Sequence, residues 1–135
     1  MKKYCYFTPP QLISNDVPTP SLEDFYRNLT PPEITLAEAN AFNFDHPDAF
    51  DWRLLEDTLV SILNGEVAHV PKWDFKTHQR SDKVQMLERP DAVVLEGILV
   101  LYKKRIRDSL DMKVCHRPLL FTFSRRALAP ILDLC

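Results

Sequence analysis

Asp91-Ala92-Val93-Val94-Leu95-Glu96-Gly97 is the stretch that decides the fold class. Ala92 to Leu95 are apolar without interruption, and the run ends on an acid and a glycine. A strand with one wet face alternates polar and apolar residues. A run that does not alternate belongs to a strand covered on both faces, the usual state of a parallel strand between helices. The chain is therefore expected to be α/β. Ligands of open α/β sheets bind outside the carboxyl ends of the strands. Glu96 sits at such an end. An acid there commonly holds magnesium through water in phosphoryl-transfer enzymes; the plainer alternative is a solvated acid at a strand end.

Working outward, Arg89-Pro90 breaks the chain before this strand. After it, Ile98 to Tyr102 extends the apolar stretch, Lys103 to Leu110 has the pattern of a short amphipathic helix, and Asp111-Met112-Lys113-Val114 starts a further strand. Upstream, Glu66 to Phe75 reads as a strand, with Pro71 marking an edge or a bulge. The period of two places Trp73 and Phe75 on one face. Lys76 to Lys83 is polar and turn-like, and Val84-Gln85-Met86-Leu87 is the expected return strand. The pair forms a hairpin that projects from the sheet.

The clearest helix is Trp52 to Leu63, capped by Asp51 and stopped by Asn64-Gly65. Trp52, Leu55, Leu59, Ile62 and Leu63 recur on one face at helical spacing. Pro31-Pro32-Glu33 opens a shorter helix with Thr30 as N-cap and Ile34, Leu36 and Ala37 as its apolar side. Ser21 with Asp24 resembles a capping box. Residues 1–20 hold Pro9, Pro10, Pro18 and Pro20 and are expected to form an irregular or extended lead-in. Residues 21–114 are read as the domain, and 115–135 as a divergent tail in which Pro118 and Pro130 interrupt a strand-like and then helical text.

Composition excludes several classes. The 135 residues carry 17 Lys and Arg against 19 Asp and Glu, so no basic excess points to nucleic acid or to a membrane surface. No apolar run approaches a membrane span, and the apolar residues before Pro9 are too few for a signal-peptide core. Cys5, Cys115 and Cys135 are odd in number and widely spaced, which argues against a disulfide framework or zinc site and for a reducing, cytoplasmic setting. Eleven prolines stand against two glycines, Gly65 and Gly97, so no glycine-rich phosphate loop can be written from this sequence.

Asn43-Phe44-Asp45-His46-Pro47-Asp48-Ala49-Phe50-Asp51 has no core periodicity. It places three acids, a histidine and two phenylalanines just before a helix. Asp45 can accept protons from hydroxyls while Phe44 stacks on a flat face; alternatively Asp45 is a turn residue before Pro47. His46 and His78 each lack a second ligand at metal spacing, so a structural role is the plainer reading of both. Trp73 and Phe75 serve either as core or as a stacking platform.

These pieces together resemble the uridine–cytidine kinases, within the phosphoribulokinase and uridine kinase group of P-loop kinases. Phe25-Tyr26 with Leu29-Thr30, the Asn43–Asp51 loop, Val70-Pro71-Lys72-Trp73-Asp74-Phe75 with His78, and Asp91 to Leu99 follow in that family's order. Ile106-Arg107-Asp108 and Asp111-Met112-Lys113 continue the match, which covers residues 21–114. The resemblance implies a partial P-loop-kinase-like parallel sheet with flanking helices and a hairpin closing over a nucleoside. It implies transfer of the ATP γ-phosphate to the 5′-hydroxyl of uridine or cytidine, with Mg2+, in pyrimidine salvage. Asp45 would bind the ribose hydroxyls. Phe44, Trp73 and Phe75 would border sugar and base, with tryptophan at a position that normally carries tyrosine. His78 would meet the base edge, and Glu96 would help hold magnesium.

The sequence also departs from the family pattern. In register with Phe25-Tyr26, the general-base aspartate falls on Glu23, and Asp24 takes the place of a serine. No Gly-x-x-x-x-Gly-Lys-[Ser/Thr] precedes this segment, so the ATP site is expected to be absent and the sheet to lack its first central strand. Residues 115–135 do not match the arginine-rich lid. Two readings follow: a nucleoside kinase by descent, or a catalytically inactive fragment that binds nucleoside or pairs, as a homo- or hetero-oligomer, with a full-length kinase subunit. Phosphoribulokinase or pantothenate kinase specificity fits the loop and hairpin less well.

Overall fold

The computed structural model describes residues 2–6 and 17–113. The stretch that decides the fold class forms a strand, Ala92–Glu96, with Val93, Val94 and Leu95 all buried. Numbered in chain order, the strands are β1 (Lys2–Tyr6), β2 (Val67–Asp74), β3 (Gln79–Glu88), β4 (Ala92–Glu96) and β5 (Met112–Lys113). The helices are α1 (Pro31–Glu38), α2 (Trp52–Leu63) and α3 (Lys104–Ser109). The expected α/β class is the one observed.

The main sheet has the order β4-β1-β5, with both pairings parallel. This corrects the expectation of a missing central strand. Lys2–Tyr6 pairs residue for residue with β4, from Lys2 opposite Ala92 to Tyr6 opposite Glu96. Tyrosine favours a pleated backbone, a signal outweighed by the prolines that follow. Val17 to Ser21 then runs along the other edge of β4. The Val94 N–H donates to the Pro18 carbonyl (3.0 Å) and the Glu96 N–H to the Pro20 carbonyl (3.2 Å). Neither proline has an N–H to give back, so only half a ladder forms, ending in a parallel bridge between Ser21 and Glu96.

α2 lays Leu55, Leu59 and Ile62 into the core beside Thr58, whose hydroxyl donates to the Leu54 carbonyl (2.7 Å). Asp51 caps it by accepting from the Leu54 N–H (3.1 Å), as the sequence predicts. α1 has Thr30 and Glu33 in a capping box, but its expected apolar side is thinner than read. Ala37 is buried, while Leu36 is exposed.

The hairpin is longer in its return strand than expected, because β3 begins at Gln79 rather than Val84. The polar residues 79–83 suit a strand open to water. The turn is Phe75–His78: the Asp74 carboxylate accepts from the Lys76 N–H (2.9 Å) and the Thr77 hydroxyl (3.0 Å), and His78 takes a positive φ of 52°. Pairing shifts register between Pro71 and Trp73. Ala68, Val70 and Pro71 are buried before the shift, and Trp73 after it. Trp73 is thereby turned inward, while Phe75 lies beyond the strand end and is 61% exposed. The expected shared face of these two residues does not form.

The segment 115–135, with its expected tail, lies outside the described residues, as do Cys115 and Cys135. Among the described residues, no helix is long and apolar enough to cross a membrane.

Candidate functional site

Glu96 ends β4, and the bridge to Ser21 carries the chain directly into a 3-10 turn, Leu22–Phe25. Gly97 lets the two segments meet. Its φ is +145°, and a Cβ there would lie 2.5 Å from the Leu22 Cβ. Leu22 and Phe25 point into the core, which leaves Glu23 and Asp24 on the outer side of the turn. The strand end and the turn thus bring the three predicted acids, Glu23, Asp24 and Glu96, into one neighbourhood.

Their states differ. The Asp24 carboxylate, 14% exposed, lies 2.6 Å from the Lys72 ammonium of β2. No hydrogen bond or ion pair among the described residues holds the Glu23 carboxylate. Partial burial first, then the negative charges of Glu96, Asp24 and Asp45, raise its pKa above the ordinary glutamate value. Glu23 is accordingly the carboxylate free to take up a proton, and Asp24 is already engaged. Asp45, exposed on its loop, is close enough to act on both Glu23 and Tyr26. Its own N–H donates to Asn43 Oδ1 (3.1 Å), so the turn reading and the site reading hold together.

Beside the acids lies a cluster of rings. Tyr26 stacks on Phe50 at 4.6 Å and meets Phe44 (5.1 Å) and Trp73 (5.3 Å) edge-on. Phe44 carries the His78 ring on its other side at 5.8 Å and 28°. Burial, then Glu23 and Asp45, push the Tyr26 phenol above the usual tyrosine range. Trp73 Nε1 and His78 Nδ1 are buried without a hydrogen-bond partner, as is Arg80 Nε beside them. Such orphans are costly in a folded chain and suit a site completed by a ligand. His46 is different: its Nδ1 accepts from the Asp48 N–H (3.2 Å), a cap on the 3-10 turn Pro47–Ala49.

The hairpin is fastened over this region from its tip. The Arg80 guanidinium donates to the Tyr26 carbonyl (2.9 Å) and faces Asp51 Oδ2 (3.4 Å). The Arg80 N–H donates to Asn28 Oδ1 (3.0 Å), and Gln79 Nε2 to the Leu29 carbonyl (3.3 Å). The structure thus gathers Glu23, Asp24, Phe44, Asp45, Trp73, His78 and Glu96. Phe75 stands apart, in the turn and without a ring contact to Trp73. Sequence reasoning gave no role to Tyr26, Lys72 or Arg80. Pro71 in a strand was the available sign that the chain re-aims its side chains near Lys72.

The described residues contain no group of three or more His, Cys, Asp or Glu placed to hold a metal ion. Magnesium is usually held by one or two carboxylates, with water and phosphate completing its shell. Glu96, at the strand end with the carboxylates of Glu23 and Asp45 nearby, fits that partial role. A bound magnesium would neutralise charge on phosphoryl oxygens. ATP does not fit the described residues in the same way. Its phosphates need a cradle of backbone N–H groups and a lysine, and the sequence contains no such motif.

A parallel sheet flanked by helices, with an acid at a strand end and a ring-lined hairpin beside it, is an α/β arrangement. The family model "Phosphoribulokinase / Uridine kinase family" matches residues 6–119, and the chain belongs to that family. Uridine-cytidine kinase 2-B of Danio rerio is 47% identical over 94 residues, covering 70% of this chain and 36% of that protein. Uridine-cytidine kinase A of Dictyostelium discoideum is 38% identical over 94 residues, covering 70% and 18% respectively. The chloroplastic uridine/cytidine kinase UKL1 of Arabidopsis thaliana is 41% identical over 105 residues, covering 77% and 21%. The chain thus spans about a third or less of the length of these relatives. Among solved structures, a possible uridine kinase from Bacillus stearothermophilus superposes with a TM-score of 0.50 at 16% identity, over 75% of this chain and 55% of that one. That likeness supports the fold.

Proposed function

We propose that the protein serves as a pyrimidine nucleoside kinase of the uridine–cytidine type, and that the described residues form its acceptor half. The nucleoside would lie between the Asn43–Asp51 loop and the hairpin. Phe44 and Trp73 would border sugar and base, His78 would meet the base edge, and Asp45 would accept from the ribose hydroxyls. Glu23 would take the proton of the nucleoside 5′-hydroxyl, and Glu96 would help hold magnesium. The observation that carries this reading is a free carboxylate of raised proton affinity, Glu23, set beside a ring cluster with two unpartnered buried nitrogens. General acid–base work requires such a group near the reacting hydroxyl. Relatives named as uridine–cytidine kinases support the substrate class. A cytoplasmic setting and assembly with further copies or with a full-length kinase subunit belong to the same proposal.

The test is an assay of the purified full chain with ATP, magnesium and uridine, together with calorimetric titration of uridine alone. UMP formation supports the kinase. Uridine binding without turnover supports the acceptor half and favours the inactive-fragment alternative, for which the lack of a glycine-rich loop in the sequence is the motive. Asp45→Ala should then abolish binding. A chain that binds neither uridine nor cytidine would sink the proposal.

A further inference from the structure

We propose that Lys72 is a positioning residue that latches the hairpin to the turn bearing Glu23 and occupies Asp24, so that of the turn's two carboxylates Glu23 alone is left without a hydrogen-bond partner. The inference rests on the reading of that site as one for a nucleoside. Lys72 and Asp24 are 48 residues apart in sequence, and their side chains meet at 2.6 Å. Among the described residues, the polar ties from Gln79 and Arg80 reach Tyr26, Asn28 and Leu29 from the β3 side. The Lys72–Asp24 pair is the tie from β2, and it fastens the half of the hairpin that carries Trp73.

The local backbone explains how a lysine comes to stand there. With strict alternation, Lys72 would follow Ala68 and Val70 onto the buried face. The register shift between Pro71 and Trp73 turns Trp73 inward instead and leaves the Lys72 side chain 38% exposed, at the border where Asp24 waits. The Asp24 carboxylate is more deeply covered than its partner. A covered carboxylate without a counter-charge is costly, so loss of Lys72 would drive Asp24 toward water and the turn with it. Glu23, next in the chain, would move as well. The latch therefore couples hairpin closure to the placement of the candidate base.

The full chain tests this through Lys72→Met, Asp24→Asn, the double variant and Lys72→Arg. Two quantities are read: uridine affinity by calorimetry, and amide hydrogen exchange across residues 70–80. Either single variant should weaken uridine binding roughly tenfold and speed exchange in the hairpin. The double variant should be no worse than the poorer single, since it leaves no unpaired charge. Lys72→Arg should stay within about threefold of the parent, because it keeps the charge at the same border. A merely structural lysine would not give this non-additivity in nucleoside affinity. Single variants with unchanged affinity and exchange, or losses that simply multiply in the double variant, would overturn the latch. Should the parent chain not bind uridine, the proposed function fails first, and the exchange arm alone decides the latch: no faster exchange in Lys72→Met refutes it.

Discussion

Replacing Gly97 by alanine perturbs the contact on which the site is built. Gly97 follows Glu96, and the atom it would touch belongs to Leu22, the residue before Glu23. The φ of +145° is a conformation that side-chain-bearing residues rarely adopt, and holding one there costs about 1–3 kcal/mol. The new methyl would also lie 2.5 Å from the Leu22 Cβ and 3.3 Å from Val100 Cγ2. Leu22 and Val100 are buried, so neither can swing into solvent to make room. Overpacking of this kind adds about 1–3 kcal/mol. The expected loss is thus about 2–6 kcal/mol, a large part of the roughly 5–15 kcal/mol typical of a folded domain. Urea denaturation followed by circular dichroism measures it. Uridine affinity, measured under conditions where the variant is still folded, reports the displacement of Glu23 and the turn. A loss below about 1 kcal/mol would show that the Leu22 segment yields freely, and that the close approach is not what fixes Glu23 beside Glu96.

Two further outcomes are expected. Asp51→Ala removes both the cap on α2 and the carboxylate facing Arg80, so it should cost about 1 kcal/mol or somewhat more in urea unfolding, while Asp51→Asn, which keeps a capping oxygen, should cost less. Glu33 is held to a pKa of about 2 by its hydrogen bonds from Arg27 and then Thr30, against an ordinary value of 4.5. Because the folded value is the lower one, its stabilising effect is complete above pH 4.5 and disappears as pH falls toward 2. The stability gap between the parent and Glu33→Gln should therefore close over that window in acid titrations; a gap that stays constant would refute the assignment.

The sequence was most legible where one local rule dominated. The unbroken apolar run of β4, the Asp51 cap, the helical stripe of α2 and the Asn64-Gly65 stop all depend on neighbours a few residues away. β1 was not legible, because Lys2 to Tyr6 has little apolar weight of its own and gains its place through pairing with β4, some 90 residues on. The edge segment Val17–Ser21 was masked by its prolines, which forbid donation but leave their carbonyls free to accept. In the site, Glu23, Asp45, Phe44 and His78 could be proposed from their order along the chain. The fate of Asp24 could not, since its partner Lys72 reaches it only after a register shift that alternation does not foresee. Phe75 erred for another reason: counting by twos from Trp73 ran past Asp74, where the strand ends and the turn begins.

The Lys72–Asp24 pair also bears on why the acidic turn is tolerable. A site that already holds Glu23, Asp45 and Glu96 gains a fourth carboxylate at Asp24, and each added negative charge raises the cost of ionising the others. Left alone, Asp24 would compete with Glu23 for the role of base and make the turn electrostatically unfavourable. Lys72 alone would place an ammonium at the edge of a ring cluster with no carboxylate to meet it. Together they cancel, and Glu23 remains the turn's one unengaged carboxylate. The two positions are therefore better understood as a single compensated feature than as two separate departures, and the charge balance of the turn depends on their being kept as a pair.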